Sequence, residues 1–455
     1  MPKIEPKDVI PILSKHMLID GFEIIVDLKK SAGSYLVDER DGKKYLDFFT
    51  FFATLPVGIN HPKLLTPDFK EKLLTAAINK PSNSDFYTVA MAEFVDTFAR
   101  LAMPESLPHL FFIDGGALAV ENALKAAFDW KIRMNFQKGY TREHGNQVIH
   151  FQQAFHGRSG YTLSLTNTAD PRKTMYFPKF HWPRVLNPKI VFPLNDENLR
   201  RVEKAEQMSL QQIKRAILDN PDDIAAIIIE PIQGEGGDNH FRAEFFKELR
   251  TIADENDILL IFDEVQCGMG ISGKMWAYQH FGVTPDIVAF GKKSQVCGIM
   301  VSRRIDQVED NVFVESSRIN STWGGNLVDM VRCQRYLEIM AEENLVDNAA
   351  KVGAYFLEKL HDVQQRYPQL VSNIRGRGLF IAFDLPADFI RDQFIREARK
   401  RGMLVLKCGE RSIRFRPALN ITPQIVDEAM GIIDATLSFI TKKVNAIGIQ
   451  GKGEL

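Results

Sequence analysis

The sequence is poor in cysteine, in net charge and in long apolar runs, and each shortage removes a class of protein. Its four cysteines, Cys267, Cys297, Cys333 and Cys408, are scattered without any CxxC spacing, which argues against a zinc site or a disulfide framework and points to a reducing compartment. The 57 basic and 58 acidic side chains leave a formal charge of −1, so no global field draws the chain to nucleic acid or to an anionic membrane. No apolar stretch approaches the length of a bilayer span. The opening "MPKIEPKDVIPILSKHMLID" has neither the apolar core of a signal peptide nor the Arg/Ser character of a transit peptide. Repeats and low-complexity tracts are missing too. The expectation is a cytoplasmic protein without a metal site, acting on individually recognised small molecules.

What is present is ample. With 455 residues, 45% of them hydrophobic, the chain can bury a large core and exceeds one ordinary domain. Through its middle, short continuous apolar segments ("HLFFID", "QVIHFQQAF", "IAAIIIEP", "DILLIFDE", "PDIVAFG") alternate with helical periodicity ("LAVENALKAAFDWKIR", "FRAEFFKELRTIADEND"). Strands without polar alternation, separated by helices, predict an α/β fold with a mostly parallel sheet covered on both faces. The pattern changes near Asn326, where a long helical region leads into "IRGRGLFIAFDL", "MLVLKCG", "IRFRPALNIT" and a final amphipathic helix. A smaller α+β domain is expected there. The N-terminal "YLVDERDGKKYLDFF", read as two short strands around a turn, is expected to pack with it. The predicted division is 1–65 and 326–455 for the small domain and 66–325 for the large one, with a cleft between them.

The segment "LLIFDEVQCGMGISGK" poses the functional question. An apolar strand ending in Asp263-Glu264, followed by the glycine and lysine spacing of Gly268 to Lys274, looks superficially like a P-loop ATPase. Met275 stands where a magnesium-binding Ser or Thr belongs, however, and acid and loop come in the wrong order. Pyridoxal phosphate (PLP) asks for a different set: an imine-forming lysine, a carboxylate for the pyridine nitrogen, and backbone donors for the phosphate. Asp263 and Lys292 each follow an apolar strand and should emerge at the same carboxyl edge of the sheet. Gly115 and Gly116, opening the helix of "DGGALAVENALK", offer a close backbone approach to an anion; a simple tight turn is the plainer reading of that pair alone. Lys293 is the rival to Lys292, and adjacent residues leaving a strand point in different directions, so only one can meet a cofactor.

Taken in order, "AFHGR", "IIIEPIQGEGG", "FDEVQCGMGISGK", "DIVAFGKK" and "STWGGN" resemble the class III, ω-amino-acid aminotransferases, which have the fold-type I PLP architecture. The resemblance runs from "YLDFF" and "GINHP" to "IRFRPALNIT". Within that family it is strongest to the branch acting on the ε-amine of L-lysine, through "DGGALAVENALK" and "FGKKSQVCG". Departures are Ala117 and Leu118, where most relatives carry Ser or Thr then Glu, Ile271 for a common Arg, and Ala418 within Pro417-Ala418-Leu419.

The resemblance implies that Lys292 bonds the cofactor, that Asp263 pairs with its ring nitrogen and Gln266 reaches its phenolic oxygen. It also implies that Phe155 stacks on the ring beside Val265, that Gly116 and Ala117 hold the phosphate through backbone N–H groups, and that Thr322 reaches the phosphate from a second subunit of a homodimer. For the substrates, L-lysine and 2-oxoglutarate, Arg414 matches the family arginine for the carboxylate nearest the reacting carbon. Arg158 is the candidate for the distal carboxylate. Since lysine puts a methylene where Arg414 expects a carboxylate, Glu235 is expected to cover Arg414 during that half reaction and release it for 2-oxoglutarate. Arg416 competes with Arg414, and Glu230 is expected to orient Gln266 or the substrate amine. Ornithine or 4-aminobutyrate as the donor, or a PLP-fold protein without catalysis, are the alternatives.

Overall fold

In the computed structural model, which describes residues 4–447, the alternating strands and helices assemble into three sheets. Strands β1 (Tyr35–Val37) and β2 (Lys44–Asp47) form the expected N-terminal hairpin. β3 (His109–Ile113), β4 (Gln147–Phe151), β5 (Arg184–Val185), β6 (Ile224–Ile229), β7 (Leu259–Asp263), β8 (Ile287–Phe290) and β9 (Cys297–Val301) build a seven-stranded sheet in the order β3-β9-β8-β7-β6-β4-β5. All its strands run parallel except β9, which is antiparallel to both β8 and β3.

β6, β7 and β8 are buried along their whole length, and their side chains alternate between two apolar layers. Leu259, Ile261, Ile287 and Ala289 meet Val120, Leu124 and Trp130 of the helix Gly116–Gln137 on one face. Leu260, Phe262, Val288 and Phe290 meet Phe246 and Leu249 of the helix Ala243–Glu255 on the other. Two covered faces explain why these strands read as unbroken apolar runs, since neither set of alternating side chains meets water.

The C-terminal strands β10 (Ser372–Arg377), β11 (Phe380–Asp384), β12 (Met403–Leu404), β13 (Leu406–Cys408) and β14 (Ser412–Phe415) divide their pairing. Four form a sheet in the order β10-β11-β14-β13, while β12 lies parallel to β2. The two ends of the chain therefore share a sheet. The helix Leu327–Glu342 serves both cores: Met330, Val331 and Leu337 pack beside Phe94, Phe98 and Phe112, whereas Ile339 and Met340 join the C-terminal cluster with Phe356 and Phe415. Among the described residues, no helix is long and apolar enough to cross a membrane.

Candidate active site

The residues singled out by chemistry converge where the parallel strands end. A cavity of about 430 Å³ opens beyond the carboxyl ends of β3, β4, β6, β7 and β8, the place where open α/β sheets bind ligands. Its wall includes Gly116 and Ala117 after β3, Phe155 and Arg158 after β4, and Asp263, Val265, Gln266 and Lys292 after β7 and β8. Pairing of β7 with β8 sets Asp263 opposite Ala289, so Lys292 follows a few residues beyond, on the same rim.

The two acids of "LLIFDEVQCGMGISGK" divide their roles. Asp263, 4% exposed, accepts at Oδ2 from His156 Nδ1 at 2.8 Å and at Oδ1 from the Val265 N–H at 3.0 Å. Glu264 turns away from the cavity and accepts the N–H groups of Ala277 and Tyr278 at 2.8 and 2.7 Å. Burial pushes its carboxyl up to about 7, with those N–H groups pulling the other way. Glu264 thus closes a loop, and Asp263 is the acid facing the cavity.

The two lysines divide as well. Lys293 is 2% exposed and donates to the Gln266 carbonyl at 2.9 Å, a buried anchor. Lys292 lines the cavity, its amine 5.8 Å from the centre of the Phe52 ring. Burial, and then the charge of Arg414, pull its ammonium from the ordinary 10.5 down to about 8, while Asp263 pushes it back up. In cofactor-free protein the capture of Lys292 by an amine-selective reagent should therefore rise with a midpoint near pH 8. A midpoint near 10 would show that the burial is not felt.

The backbone next to Lys292 is under strain. Thr50, Phe51, Phe52 and Ala53 all take left-handed conformations, with φ of 44°, 49°, 61° and 66°, each costing about 1–2 kcal/mol for a residue with a Cβ. Asp47 Oδ1 holds the turn by accepting from the Phe49 and Thr50 N–H groups at 2.9 and 2.8 Å. Gln295, itself at φ 63°, donates to the Thr54 carbonyl at 2.6 Å and ties this turn to the lysine loop. Strain kept in place by such ties is commonly found at functional sites.

The start of the helix Gly116–Gln137 carries no side-chain cap, so its first N–H groups remain free for an anion. One turn on, Glu121 accepts from Ser159 Oγ at 2.7 Å and from the Tyr161 N–H at 2.8 Å, fixing the loop that bears Phe155 and Arg158. Glu230 does similar work, taking the N–H groups of Phe155 and Gly234, each at 2.9 Å. It therefore orients two loops rather than the Gln266 amide. Burial raises the Glu230 carboxyl, His156 lowers it and Asp263 raises it further.

Of the arginines, Arg416 is 1% exposed and committed to Asp238 at 2.5 Å, with the Phe380 ring 3.4 Å away. Arg414 instead donates to Gln266 Oε1 at 2.7 Å and keeps a buried Nε without a partner. Glu235, expected to cover Arg414 in only one of the two half reactions, is here paired with Lys173. Lys173 ends the single helical turn Pro171–Lys173, and its amine is the cation that meets the Glu235 carboxylate. Arg158 is exposed on the cavity wall. Thr322 is exposed and outside this cavity, beside Ser84.

Sequence reasoning missed three neighbours. His156 was visible in "AFHGR" next to Phe155, but nothing in the spacing tied it to Asp263. Phe52 and Lys173 lie in single helical turns, Thr50–Ala53 and Pro171–Lys173, too short to leave a periodicity to read.

A family profile, aminotransferase class-III, matches residues 20–437. The chain belongs to the class III aminotransferases. Among similar proteins, the L-lysine-epsilon aminotransferase of Mycobacterium tuberculosis is 52% identical over 437 residues, 96% of each chain. That of Streptomyces clavuligerus is 48% identical over 445 residues, 97% of this chain and 96% of its own. The solved structure of the lysine aminotransferase from M. tuberculosis superposes with a TM-score of 0.94 at 51% identity, covering 96% of this chain and all of the other. This class III aminotransferase therefore shares fold and enzyme class with PLP-dependent transferases.

Proposed function

We propose that the enzyme transfers the ε-amino group of L-lysine to 2-oxoglutarate, giving 2-aminoadipate 6-semialdehyde and L-glutamate, with PLP as cofactor. One observation carries the reading: an acid and a lysine of depressed basicity, Asp263 and Lys292, face one cavity that also holds an uncapped helix start and an aromatic ring. The names of the similar proteins support the choice of donor. The residues fit the group. Gly116 and Ala117 would hold its phosphate, Phe155 and Val265 its ring faces, Asp263 its ring nitrogen, and Gln266 its phenolic oxygen.

When bound, PLP supplies the electron sink that delocalises charge from the reacting carbon. Asp263, anchored by His156 and Val265, offers its carboxylate to keep the ring nitrogen protonated. The Lys292 amine, neutral in good part near pH 8, accepts a proton from the substrate carbon and returns it as the acid partner of the same step. Arg158 would hold the α-carboxylate of lysine and the distal carboxylate of 2-oxoglutarate. Arg414 would bind the proximal carboxylate by a bidentate fork. Glu235 would shield Arg414 while lysine reacts. Thr322, exposed in the single chain, would complete the phosphate site of a second copy, so the enzyme is expected to work as a homodimer. On the proposed domain division the cavity belongs to 66–325, and Arg414, from 326–455, donates to Gln266 on its wall.

Product analysis after incubation with L-lysine and 2-oxoglutarate should find glutamate together with a cyclic imine formed from the semialdehyde. Ornithine and 4-aminobutyrate at matched concentrations should turn over more slowly. Preference for either would transfer the assignment to that donor, and absence of any transamination would leave a binding protein.

A further inference from the structure

Lys173 has no place in the mechanism above, yet it touches the residue on which substrate exchange depends. Its amine forms an ion pair with Glu235 Oε1 and lies 5.9 Å from the centre of the Phe155 ring. Glu235 keeps its other oxygen, Oε2, buried without a partner. Across the site, Arg414 rests on Gln266 Oε1 at 2.7 Å and leaves its own Nε unpartnered. The backbone just before Glu235 abuts that same amide: a Cβ on Gly234 would lie 2.2 Å from Gln266 Oε1. The Glu235 main chain is held from the other side, where its carbonyl accepts the Gly409 N–H at 2.8 Å. Glu235 is therefore held at its backbone, with its carboxylate on Lys173 and its main chain beside the amide that receives Arg414.

We infer that Lys173 is a positioning residue, the second station that receives the Glu235 carboxylate whenever Arg414 must face a substrate carboxylate. This rests on the proposed exchange of lysine for 2-oxoglutarate at one site. A carboxylate leaving Arg414 without a second cation would stay half-buried and unpaired, which opposes departure. Lys173 removes that penalty. With side-chain exposures of 27% and 20%, the Lys173–Glu235 pair is partly solvated and shallow enough to be given up again when lysine returns. Lys173 thereby sets the balance between the two half reactions rather than the rate of proton transfer.

The test compares Lys173→Met and Lys173→Arg in the holoenzyme, with Lys173→Gln in reserve should the methionine variant not fold. Each half reaction is followed separately by cofactor absorbance, and binding of glutarate, a non-reacting dicarboxylate, is measured by calorimetry. Lys173→Met should raise both the KM for 2-oxoglutarate and the Kd for glutarate about tenfold, equivalent to about 1.4 kcal/mol. The KM for lysine should change much less, and Lys173→Arg should restore the parent values. Equal losses in both half reactions, or an unchanged glutarate Kd, would overturn the inference. If the parent enzyme fails to act on lysine while glutarate affinity still falls in Lys173→Met and returns in Lys173→Arg, the donor assignment fails and the role of Lys173 stands.

Discussion

Replacing Lys292 with alanine is expected to lower kcat by at least about 10⁴-fold, the upper range for removing a positioned acid–base group, because the same amine also has to bond the cofactor. The neighbouring substitution should behave in the opposite way. Lys293 donates to the Gln266 carbonyl from a site 2% exposed, so Lys293→Met gives up a buried hydrogen bond worth about 1–3 kcal/mol and should lower the melting temperature. Its turnover should stay within about tenfold of the parent. Steady-state assays and thermal unfolding on the two variants separate chemistry from anchoring. If Lys293→Met were the inactive protein and Lys292→Ala the active one, the roles given to the pair would be reversed.

Asp263→Asn should cost about 10²–10³ in kcat, the usual loss when one preorganised electrostatic group is removed. The substitution preserves shape but not charge. Asp263 accepts from both His156 Nδ1 and the Val265 N–H. An amide offers a single acceptor oxygen for the two, and the uncharged side chain no longer favours a protonated ring nitrogen. Rapid-mixing measurements of a single half reaction, alongside a circular dichroism spectrum showing an intact fold, read the effect directly. A rate within threefold of the parent would mean that Asp263 serves the loop rather than the chemistry.

Much of this architecture was legible because buried parallel strands leave a distinctive trace. "IAAIII" and "LLIF" are apolar at every position since both faces of their sheet are covered, and the acid and lysine at the ends of such strands must share a sheet edge. β9 escaped notice because "CGIMV" sits inside the lysine motif and contains Gly298, which weakens any strand pattern. That glycine is required by packing, since a Cβ there would lie 2.2 Å from the Phe111 carbonyl oxygen on β3. The helix Leu327–Glu342 shows a second limit: its apolar residues cover two different cores, and one sequence pattern does not say which side belongs to which.

At the site, residue type and strand position suggested Asp263 and Lys292, but not the partners around them. The link from His156 to Asp263, the left-handed turn that brings Phe52 toward Lys292, and the Lys173–Glu235 pair all join segments far apart in sequence through loops. Charges outside long helices and strands carry no periodicity, so the Lys173–Glu235 ion pair is invisible until the chain is folded. The need to cover Arg414 while lysine reacts suggested Glu235 as its partner, and only three-dimensional packing shows Lys173 beside that carboxylate.

The account rests on Asp263 and Lys292 meeting one PLP molecule from opposite sides. Borohydride reduction of the protein saturated with PLP, followed by peptide mapping, tests it most directly. The pyridoxyl group should be found on Lys292 in the parent and be lost in Lys292→Ala, and in Asp263→Asn the absorbance of the unreduced complex should change without loss of labelling. A label on Lys293, or one scattered over surface lysines, would contradict it.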